Sequence, residues 1–436
     1  MRRVWAGILA LAFAGSAWAQ QPTAAVPPAQ LEVTLTEAIQ RSLSVQPAMV
    51  AARGDQRTAG ASKLRSYGAF IPSITPSISA SRGNAARVDQ QGNPLPGGNV
   101  YTYTGNLSLQ LDLFDGFKRF ADLKASSATD AAADAGMVNQ RFQTTLQTKQ
   151  AFYNALANEA LVRVADAQVS RAQQQLQISV EKLHAGSATR SDSLRSTVEF
   201  GNARIALLQA RANLATAQAQ LGRQIGVDGL VRAITDSILP GMPDTAALRG
   251  FAVEDFPAVE QADEQARAAR ASVWSARSQY WPTINVSYNN SRSGTEEPVL
   301  PFFDNYKESF SWRFGLSWPL FNGFQREQNQ VTASVNRDNA VARANDARRQ
   351  ANAQLTQQMA VLATAYEQIA IADENISAAR EDLRVQNERY RVGAATILDL
   401  LTSQAALTQA EVNGIQTRFN YLISRAQLEA TVGRAL

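Results

Sequence analysis

The stretch Val100–Phe117, VYTYTGNLSLQLDLFDGF, carries an alternation of side chains that an α-helix does not produce. From Tyr101 to Leu113 every odd position is Tyr, Gly or Leu, and every even position is Thr, Asn, Ser, Gln or Asp. A period of two predicts a β-strand with one apolar face and one polar face. Most of the remaining chain is rich in Ala, Gln and Arg and predicts long helices. The question is therefore which environment the apolar face of this strand contacts in a mostly helical protein.

Composition limits the classes of protein to which the chain can belong. Charged residues make up 18% of the 436 residues and hydrophobic residues 45%, which excludes a disordered chain and a helical membrane protein. The absence of cysteine excludes disulfides, thiolate catalysis and Cys-ligated metal. Arginines are mixed with Glu and Asp along the helical stretches, which favours solvated helix faces over a nucleic-acid partner.

The first 19 residues predict a secretory signal peptide. Arg2 and Arg3 form a basic start, Val4 to Ala14 an apolar stretch, and Ala17 to Ala19 a small-x-small cleavage site. We therefore expect a protein that leaves the cytoplasm.

The chain is an internal duplication. The segment LFDGF at Leu113 returns as LFNGF at Leu320, and EKLHAGSATRSDSLRS at Glu181 returns as ERYRVGAATILDLLTS at Glu388. Both pairs are offset by 207 residues, and further pairs follow in the same order. Repeats at a fixed offset indicate two halves with one plan.

Each half is predicted to contain a helix, two strands joined by a loop, a very long helix, a glycine turn and a final helix. The expected division is a signal peptide (1–19), a first repeat (20–226), a connector or equatorial segment (227–256) and a second repeat (257–436). The expected elements are helices 47–70, 118–185, 189–225, 257–280, 325–392 and 396–432, and strands 73–81, 100–114, 283–291 and 309–321.

The strands favour a membrane. Alternation alone is also typical of a soluble sheet that packs on a helix. The long strands, however, exceed the roughly 9–11 residues that cross a bilayer at a tilt, and aromatic residues stand near their ends as in an interfacial girdle. We therefore expect an outer-membrane β-barrel with these lipid-facing side chains: Tyr101, Tyr103, Leu107, Leu109, Leu111, Phe310, Trp312, Phe314 and Trp318.

Four strands are too few to close a barrel. The smallest single-chain barrels use about eight strands, and an open edge in hydrocarbon leaves backbone groups unpaired at several kcal/mol each. Several copies must share one barrel, and three copies would supply twelve strands.

The long helices need support along their whole length. A helix of 68 residues is about 100 Å long, far beyond the usual 10–14 residues. The two shorter helices of each half, laid end to end, can pair antiparallel with it. Three copies would form a twelve-helix α-barrel tunnel continuing from the β-barrel. An ordinary coiled coil accounts for the helices but not for the strands. The expected fold class is mainly α with transmembrane β, internally duplicated.

The glycine turns mark the free tip of the helical hairpins. A glycine belongs at each helix end because it adopts the left-handed conformation readily, and a Thr three residues before an Asp forms a capping-box pattern. The Asp residues are interpreted as caps, as a ring of carboxylates that prefers cations and gates the entrance, or as both. The tip positions are Gly186, Thr189, Asp192, Gly393, Thr396 and Asp399.

The two LF-(D/N)-GF segments and RYRVGAATILDLLTSQAAL (Arg389–Leu407) make the chain similar to the TolC-type outer-membrane efflux protein family. This resemblance implies a homotrimer with a twelve-stranded barrel on a periplasmic helical tunnel, and no catalysis or cofactor. It implies a periplasmic adaptor and an inner-membrane transporter of the ABC or RND type as partners. The barrel-to-tunnel transition falls at Phe114, Gly116, Phe117, Phe321, Gly323 and Phe324.

The resemblance also assigns roles at the tip. Asp399 matches an outer tip aspartate, Asp192 a latch carboxylate and Tyr390 a latch tyrosine. Thr402 stands where family members carry a second tip aspartate, and Ala395 where they carry a latch arginine. Arg190 is the candidate replacement for that arginine.

The expected function is an exit channel-tunnel in the bacterial outer membrane, with its tunnel in the periplasm and a gate at the helical tip. It would pass small molecules or secreted proteins, a choice that stays open. The alternative is a trimeric coiled-coil adhesin or a structural periplasmic spacer. The resemblance implies a non-enzyme, and no metal site is expected.

Overall fold

A computed structural model describes residues 31–83, 87–88, 94–95, 100–234, 241–242, 252–295 and 306–436. The predicted signal peptide and much of the loops between paired strands lie outside these residues. No helix in the described ranges is both long and apolar enough to cross a membrane.

The first half contains six strands and four helices within the described ranges: β1 (Leu31–Val33), α1 (Leu35–Val45), α2 (Pro47–Gly68), β2 (Ser73–Gly83), β3 (Arg87–Val88), β4 (Pro94–Leu95), β5 (Val100–Phe114), α3 (Lys118–His184), α4 (Arg190–Ile225) and β6 (Val231–Ala233). The second half begins with a short 3₁₀ helix, Val253–Asp255. It continues with α5 (Pro257–Arg277), a 3₁₀ turn (Ser278–Tyr280), β7 (Thr283–Gly294), β8 (Lys307–Ser317), α6 (Gln325–Arg391) and α7 (Ile397–Val432).

Several boundaries differ from the expected ones. The fourth long strand spans Lys307–Ser317 instead of 309–321, because Pro319 has no N–H for a ladder. α2 ends at Gly68 rather than 70, and the last turn of the helix expected over 257–280 is 3₁₀. The connector 227–256 holds β6 and the first 3₁₀ helix among its described residues.

The segment ahead of α2 forms elements that the sequence analysis did not predict. Thr34 caps α1 by accepting the Glu37 N–H at 3.4 Å, and β1 pairs in parallel with β6. Thr34 and Glu37 fit the capping-box spacing, so this signal was present in the sequence.

The long strands form one antiparallel sheet in the order β2-β5-β7-β8. Its register aligns the apolar faces, because residues directly opposite each other project to the same side. One row across the sheet is Ile74, Leu109, Tyr288 and Trp312. The neighbouring row, on the other face, is Thr75, Ser108, Asn289 and Ser311. One face of the whole sheet is therefore apolar and the other polar.

The helices form a layer in which each long helix runs beside shorter ones. At one end α3 packs against α2 and α5, and α5 also packs against α6. At the other end α3 packs against α4 and α7, and α7 packs against α6. The flanks of the layer are thus α2 and α4 on one side and α6 on the other.

Two apolar clusters lie where the shorter helices meet. One contains Phe152, Leu221 and Val231 with β1 and α1, and the other contains Phe256, Leu362 and Tyr421. Full burial of a large apolar side chain contributes about 1.5–3 kcal/mol. These clusters therefore stabilise the middle of the layer, and the tip turns and the sheet lie at its two ends.

Candidate functional site

Both tip turns have a left-handed glycine. Gly186 has φ +73° and Gly393 has φ +81°. The N–H of the following residue reaches back to a carbonyl of the preceding helix, from Ser187 to Lys182 at 2.8 Å and from Ala394 to Arg389 at 2.7 Å. This hydrogen bond is the six-to-one contact of a Schellman motif, and it reverses the chain within a few residues.

A complete capping box follows each turn. The Asp192 carboxylate accepts the backbone N–H of Thr189 at 3.0 Å and its hydroxyl at 2.8 Å. Asp399 accepts the same groups of Thr396 at 2.9 and 2.8 Å. The pKa of Asp399 is lowered from its ordinary value, first by the Thr396 backbone N–H and then by its hydroxyl. The Asp399 carboxylate is therefore both a cap and an exposed negative charge.

The other predicted gate residues are not drawn together in a single protomer. The Thr402 hydroxyl donates to the Leu398 carbonyl at 2.9 Å, along its own helix. Arg190 is exposed, and its side chain makes no hydrogen bond or ion pair within the described part of the protomer. Ala395 is partly buried against the apolar tip cluster instead of standing in a latch.

Tyr390 contacts a residue that the sequence analysis missed. The Lys182 Nζ, on the last turn of α3, lies 4.1 Å from the centre of the Tyr390 ring. It also donates to the Tyr390 carbonyl at 2.5 Å. The phenol oxygen is buried and has no hydrogen-bond partner among the described residues. Lys182 thus joins the first hairpin to the second at the tip.

The two tips are packed differently. Between α6 and α7 lies an apolar cluster formed by Leu383, Tyr390, Ile397, Leu400 and Leu407. At the corresponding level between α3 and α4, buried hydroxyls pair instead, with Ser179 Oγ 2.9 Å from Ser196 Oγ. The duplication therefore preserves the turns and caps but not the packing behind them.

At the predicted barrel-to-tunnel transition the backbone is left-handed at two successive residues in each repeat. Gly116 and Phe117 have φ +66° and +65°, and Gly323 and Phe324 have +67° and +65°. A non-glycine residue in this conformation costs about 1–3 kcal/mol. In the first repeat the ring of Phe117 packs edge-on against Phe114 at 5.3 Å. Phe321 and Phe324 make the same contact at 5.4 Å in the second repeat.

An arginine in the first turn of each long helix donates hydrogen bonds to backbone carbonyls near the strand end and contacts an aromatic ring. Arg119 Nη2 donates to the Leu113 carbonyl at 3.1 Å, and its guanidinium lies 5.2 Å from the Phe70 ring. Arg326 donates to the carbonyls of Pro319 and Leu320, both at 3.1 Å, and lies 4.7 Å from the Tyr280 ring.

The signal for these arginines was available in the sequence. Each stands three residues after the glycine of the LF-(D/N)-GF segment. Arg119 joins the end of β5 to the aromatic residue that precedes β2. Arg326 joins the residues just after β8 to the aromatic residue that precedes β7.

The predicted lipid-facing side chains share one face of the sheet up to the end of β8. Phe310, Trp312 and Phe314 are 62–74% exposed in the protomer. Trp318 lies just beyond β8, and its indole N–H donates to the Tyr280 carbonyl at 3.2 Å. The remaining members of the predicted set lie on β5: Tyr101, Tyr103, Leu107, Leu109 and Leu111. A continuous exposed apolar face of this extent indicates a contact surface.

Comparison with solved structures supports this fold. The outer membrane protein VceC from Vibrio cholerae superposes with a TM-score of 0.76 at 18% sequence identity, covering 92% of this chain and 96% of VceC. At this identity the likeness concerns the fold.

Curated relatives are more similar in sequence. Protein CyaE of Bordetella pertussis is 29% identical over 324 residues, which cover 71% of this chain and 65% of CyaE. The alkaline protease secretion protein AprF of Pseudomonas aeruginosa is 25% identical over 230 residues, or 51% of this chain and 47% of AprF. The chain thus spans about half to two thirds of the length of these relatives.

The family model described as outer membrane efflux protein matches residues 38–227 and 251–434, one stretch in each half of the chain. These two stretches contain the four long strands, both tip turns and both long helices. The chain therefore belongs to the outer membrane efflux protein family.

Proposed function

We propose that three copies of this chain form an outer-membrane exit duct, in which a twelve-stranded barrel stands on a twelve-helix periplasmic tunnel. The observation that carries the proposal is the register of the sheet, which collects the apolar side chains of four strands on one face. β5 has 15 residues, about 50 Å of extended chain, which suffices to cross a hydrocarbon core of ~30 Å at a tilt.

The flanks of the protomer support assembly into a ring. Within the described sheet, β2 and β8 have a strand neighbour on one side only. β2 lies on the flank of α2, and β8 continues into α6 on the other flank. Two different flanks that meet head to tail generate a ring when the rotation between copies closes, and closure would pair the backbone groups that hydrocarbon cannot satisfy.

Exposed apolar side chains on the helical flanks support the same contact. On α4 they form one stripe, and on α6 two of them lie one turn apart. Each is at least half exposed in the protomer: Leu194, Val198, Ile205 and Leu208 on α4, and Val331 and Val335 on α6. We expect the α4 stripe to meet the tip half of a neighbour's α6, because both lie near the tip turns. Val331 and Val335 lie at the sheet end of α6, so we expect them to meet a neighbour's α2.

In the assembled duct the apolar face of the sheet meets lipid, and the Ser-, Thr- and Asn-rich face lines a water-filled lumen. Residues 1–19 serve as the signal peptide, and two repeats (20–226 and 257–436) flank an equatorial connector (227–256). The tunnel is gated at the tip, where three copies of Asp399 surround the entrance.

The duct would receive its substrate from an inner-membrane ABC or RND-type transporter through a periplasmic adaptor. The relatives leave the substrate open between a secreted protein, since AprF is an alkaline protease secretion protein, and small molecules, since the family is one of efflux proteins. We propose no enzymatic step for the chain itself.

Purified protein tests the proposal in two measurements. Light scattering of the detergent-solubilised protein should give the mass of a trimer. Planar bilayers should show a small, mostly closed conductance that grows in Asp399→Ala. A monomer without conductance would contradict the duct, and a wide, permanently open pore would contradict the gate.

A further inference from the structure

Lys182 makes the contact between the two hairpins nearest to the tip turns. Its ammonium group reaches from the last turn of α3 to the last turn of α6. It lies 4.1 Å from the Tyr390 ring centre, 2.5 Å from the Tyr390 carbonyl and 3.5 Å from the Arg391 carbonyl. We propose that Lys182 is the latch residue of this chain, holding the hairpins together at the entrance. The inference rests on the proposed gate at the tip.

The receiving side of this contact is fixed by the second hairpin. The Tyr390 side chain is 8% exposed and packs with Ile397 and Leu400 of α7. The carbonyls that Lys182 meets lie at the C-terminal end of α6, where the helix dipole favours a cation. The ring face attracts the same charge. Movement of α3 away from α6 would break all of these interactions at once.

The tyrosine hydroxyl takes no part in the contact. It is buried and has no partner among the described residues. A link through the ring face and the main chain needs the aromatic ring but not its oxygen. This distinguishes the contact from a latch built on a tyrosine hydrogen bond.

Lys182 is the last of three cations on one face of α3. Lys149, Arg171 and Lys182 are separated by 22 and 11 residues, and 11 residues make about three helical turns. The first two meet carboxylates of α7, since Lys149 pairs with Glu429, and Arg171 Nη2 lies 3.4 Å from Glu411 Oε2. Lys182 meets a ring and carbonyls instead, so its contact differs from the other two in lacking a carboxylate.

The duplication provides a contrast. Arg389 stands at the position of Lys182 in the second half, offset by 207 residues. Its guanidinium turns back to its own hairpin, donating to the Ala394 carbonyl at 3.3 Å. Lys182 of the first half therefore contacts the opposite hairpin, whereas Arg389 of the second half does not.

Hydrogen exchange of the full-length protein, read by mass spectrometry, tests the latch without requiring a channel. Lys182→Met should raise amide exchange about fivefold or more in segment 389–399 of the opposite hairpin, as expected for the loss of a partly desolvated cation–π contact. Arg195→Met is the matched control. Arg195 is an exposed arginine at the same end, and its side chain makes no hydrogen bond, ion pair or ring contact among the described residues. Its replacement should leave this exchange unchanged.

Variants of Tyr390 test which part of the residue acts. Tyr390→Phe should keep the wild-type exchange, and Tyr390→Leu should match Lys182→Met. In the double variant Lys182→Met with Tyr390→Leu, amide exchange in segment 389–399 should be close to that of either single variant, because the two changes remove the same contact. An effect of Tyr390→Phe as large as that of Tyr390→Leu would assign the link to the hydroxyl and overturn the proposal.

The same variants in planar bilayers connect the contact to the gate. Lys182→Met should raise the open fraction of the channel, and Arg195→Met should not. Wild-type exchange at 389–399 in Lys182→Met would overturn the latch whatever the conductance. A wild-type protein without any conductance would instead refute the duct, and the exchange experiment would still decide whether Lys182 joins the hairpins.

Discussion

At the residue scale, Gly116 and Gly323 occupy equivalent turns ahead of the long helices in different surroundings. Their φ angles are +66° and +67°, so alanine is strained at both. A Cβ at Gly116 would lie 2.6 Å from the Ser278 carbonyl oxygen, whereas the space around Gly323 is open. Gly323→Ala should therefore cost only the left-handed strain, about 1–2 kcal/mol. Gly116→Ala should cost more, because the backbone of Ser278 must also move.

Thermal unfolding of the two variants in detergent checks this difference. The expected order of midpoints is wild type, then Gly323→Ala, then Gly116→Ala. Equal midpoints for the two variants would show that the close approach to Ser278 has no energetic effect and that φ alone sets the cost.

At the element scale, a mostly buried ion pair joins the two halves of the chain. Lys149 of α3 pairs with Glu429 of α7, and both side chains are less than one fifth exposed. Arg425, one turn earlier on α7, lies 3.7 Å from the same carboxylate. Removing one partner of such a pair leaves a charge in a poorly solvated place, which typically costs 3–5 kcal/mol. With the remaining exposure, Glu429→Gln should destabilise the protein by about 2–4 kcal/mol.

A double-variant cycle isolates the pair. The combination of Lys149→Met with Glu429→Gln should cost less than the two single changes added together, because neither partner of this pair then leaves the other as an uncompensated charge. Denaturant unfolding followed by circular dichroism measures all four proteins. Strict additivity would mean that the two charges are solvated independently and do not bind the halves together.

The elements also show where sequence reasoning was sufficient. Residues 325–392 contain neither glycine nor proline, and alternation is a local property of a strand. Both patterns therefore predicted their elements from neighbouring residues alone. The roles of Lys182, Arg119 and Arg326 were missed, because their partners are carbonyls and rings brought near by folding. The segment at Thr34 was missed although its cap was visible, since its helix is short.

At the scale of the whole molecule, the register of four strands places the apolar side chains on one face of the sheet and the polar side chains on the other. The pairing of Leu109 with Tyr288, and of Tyr288 with Trp312, holds only for this register, because a shift by one residue would exchange the faces. Two strands come from each half of the chain, and β5 pairs with β7 across the duplication. The sheet thus joins the halves at one end, as Lys182 joins them at the other.

Phe314 and Ser311 lie on opposite faces of β8 and test which face meets lipid. Phe314 stands opposite Val286 on the apolar face and is 74% exposed in the protomer, while Ser311 stands opposite Asn289 on the polar face. Lysine on the lipid side near the bilayer midplane costs about 2–4 kcal/mol, whereas on the lumen side it mainly alters selectivity.

Phe314→Lys should therefore lower the yield of assembled protein in membranes at least about tenfold. Ser311→Lys should assemble normally and shift ion selectivity toward anions. Only a lysine that faces lipid should prevent assembly. Normal assembly of Phe314→Lys together with failure of Ser311→Lys would therefore place the polar face against lipid and refute the barrel orientation.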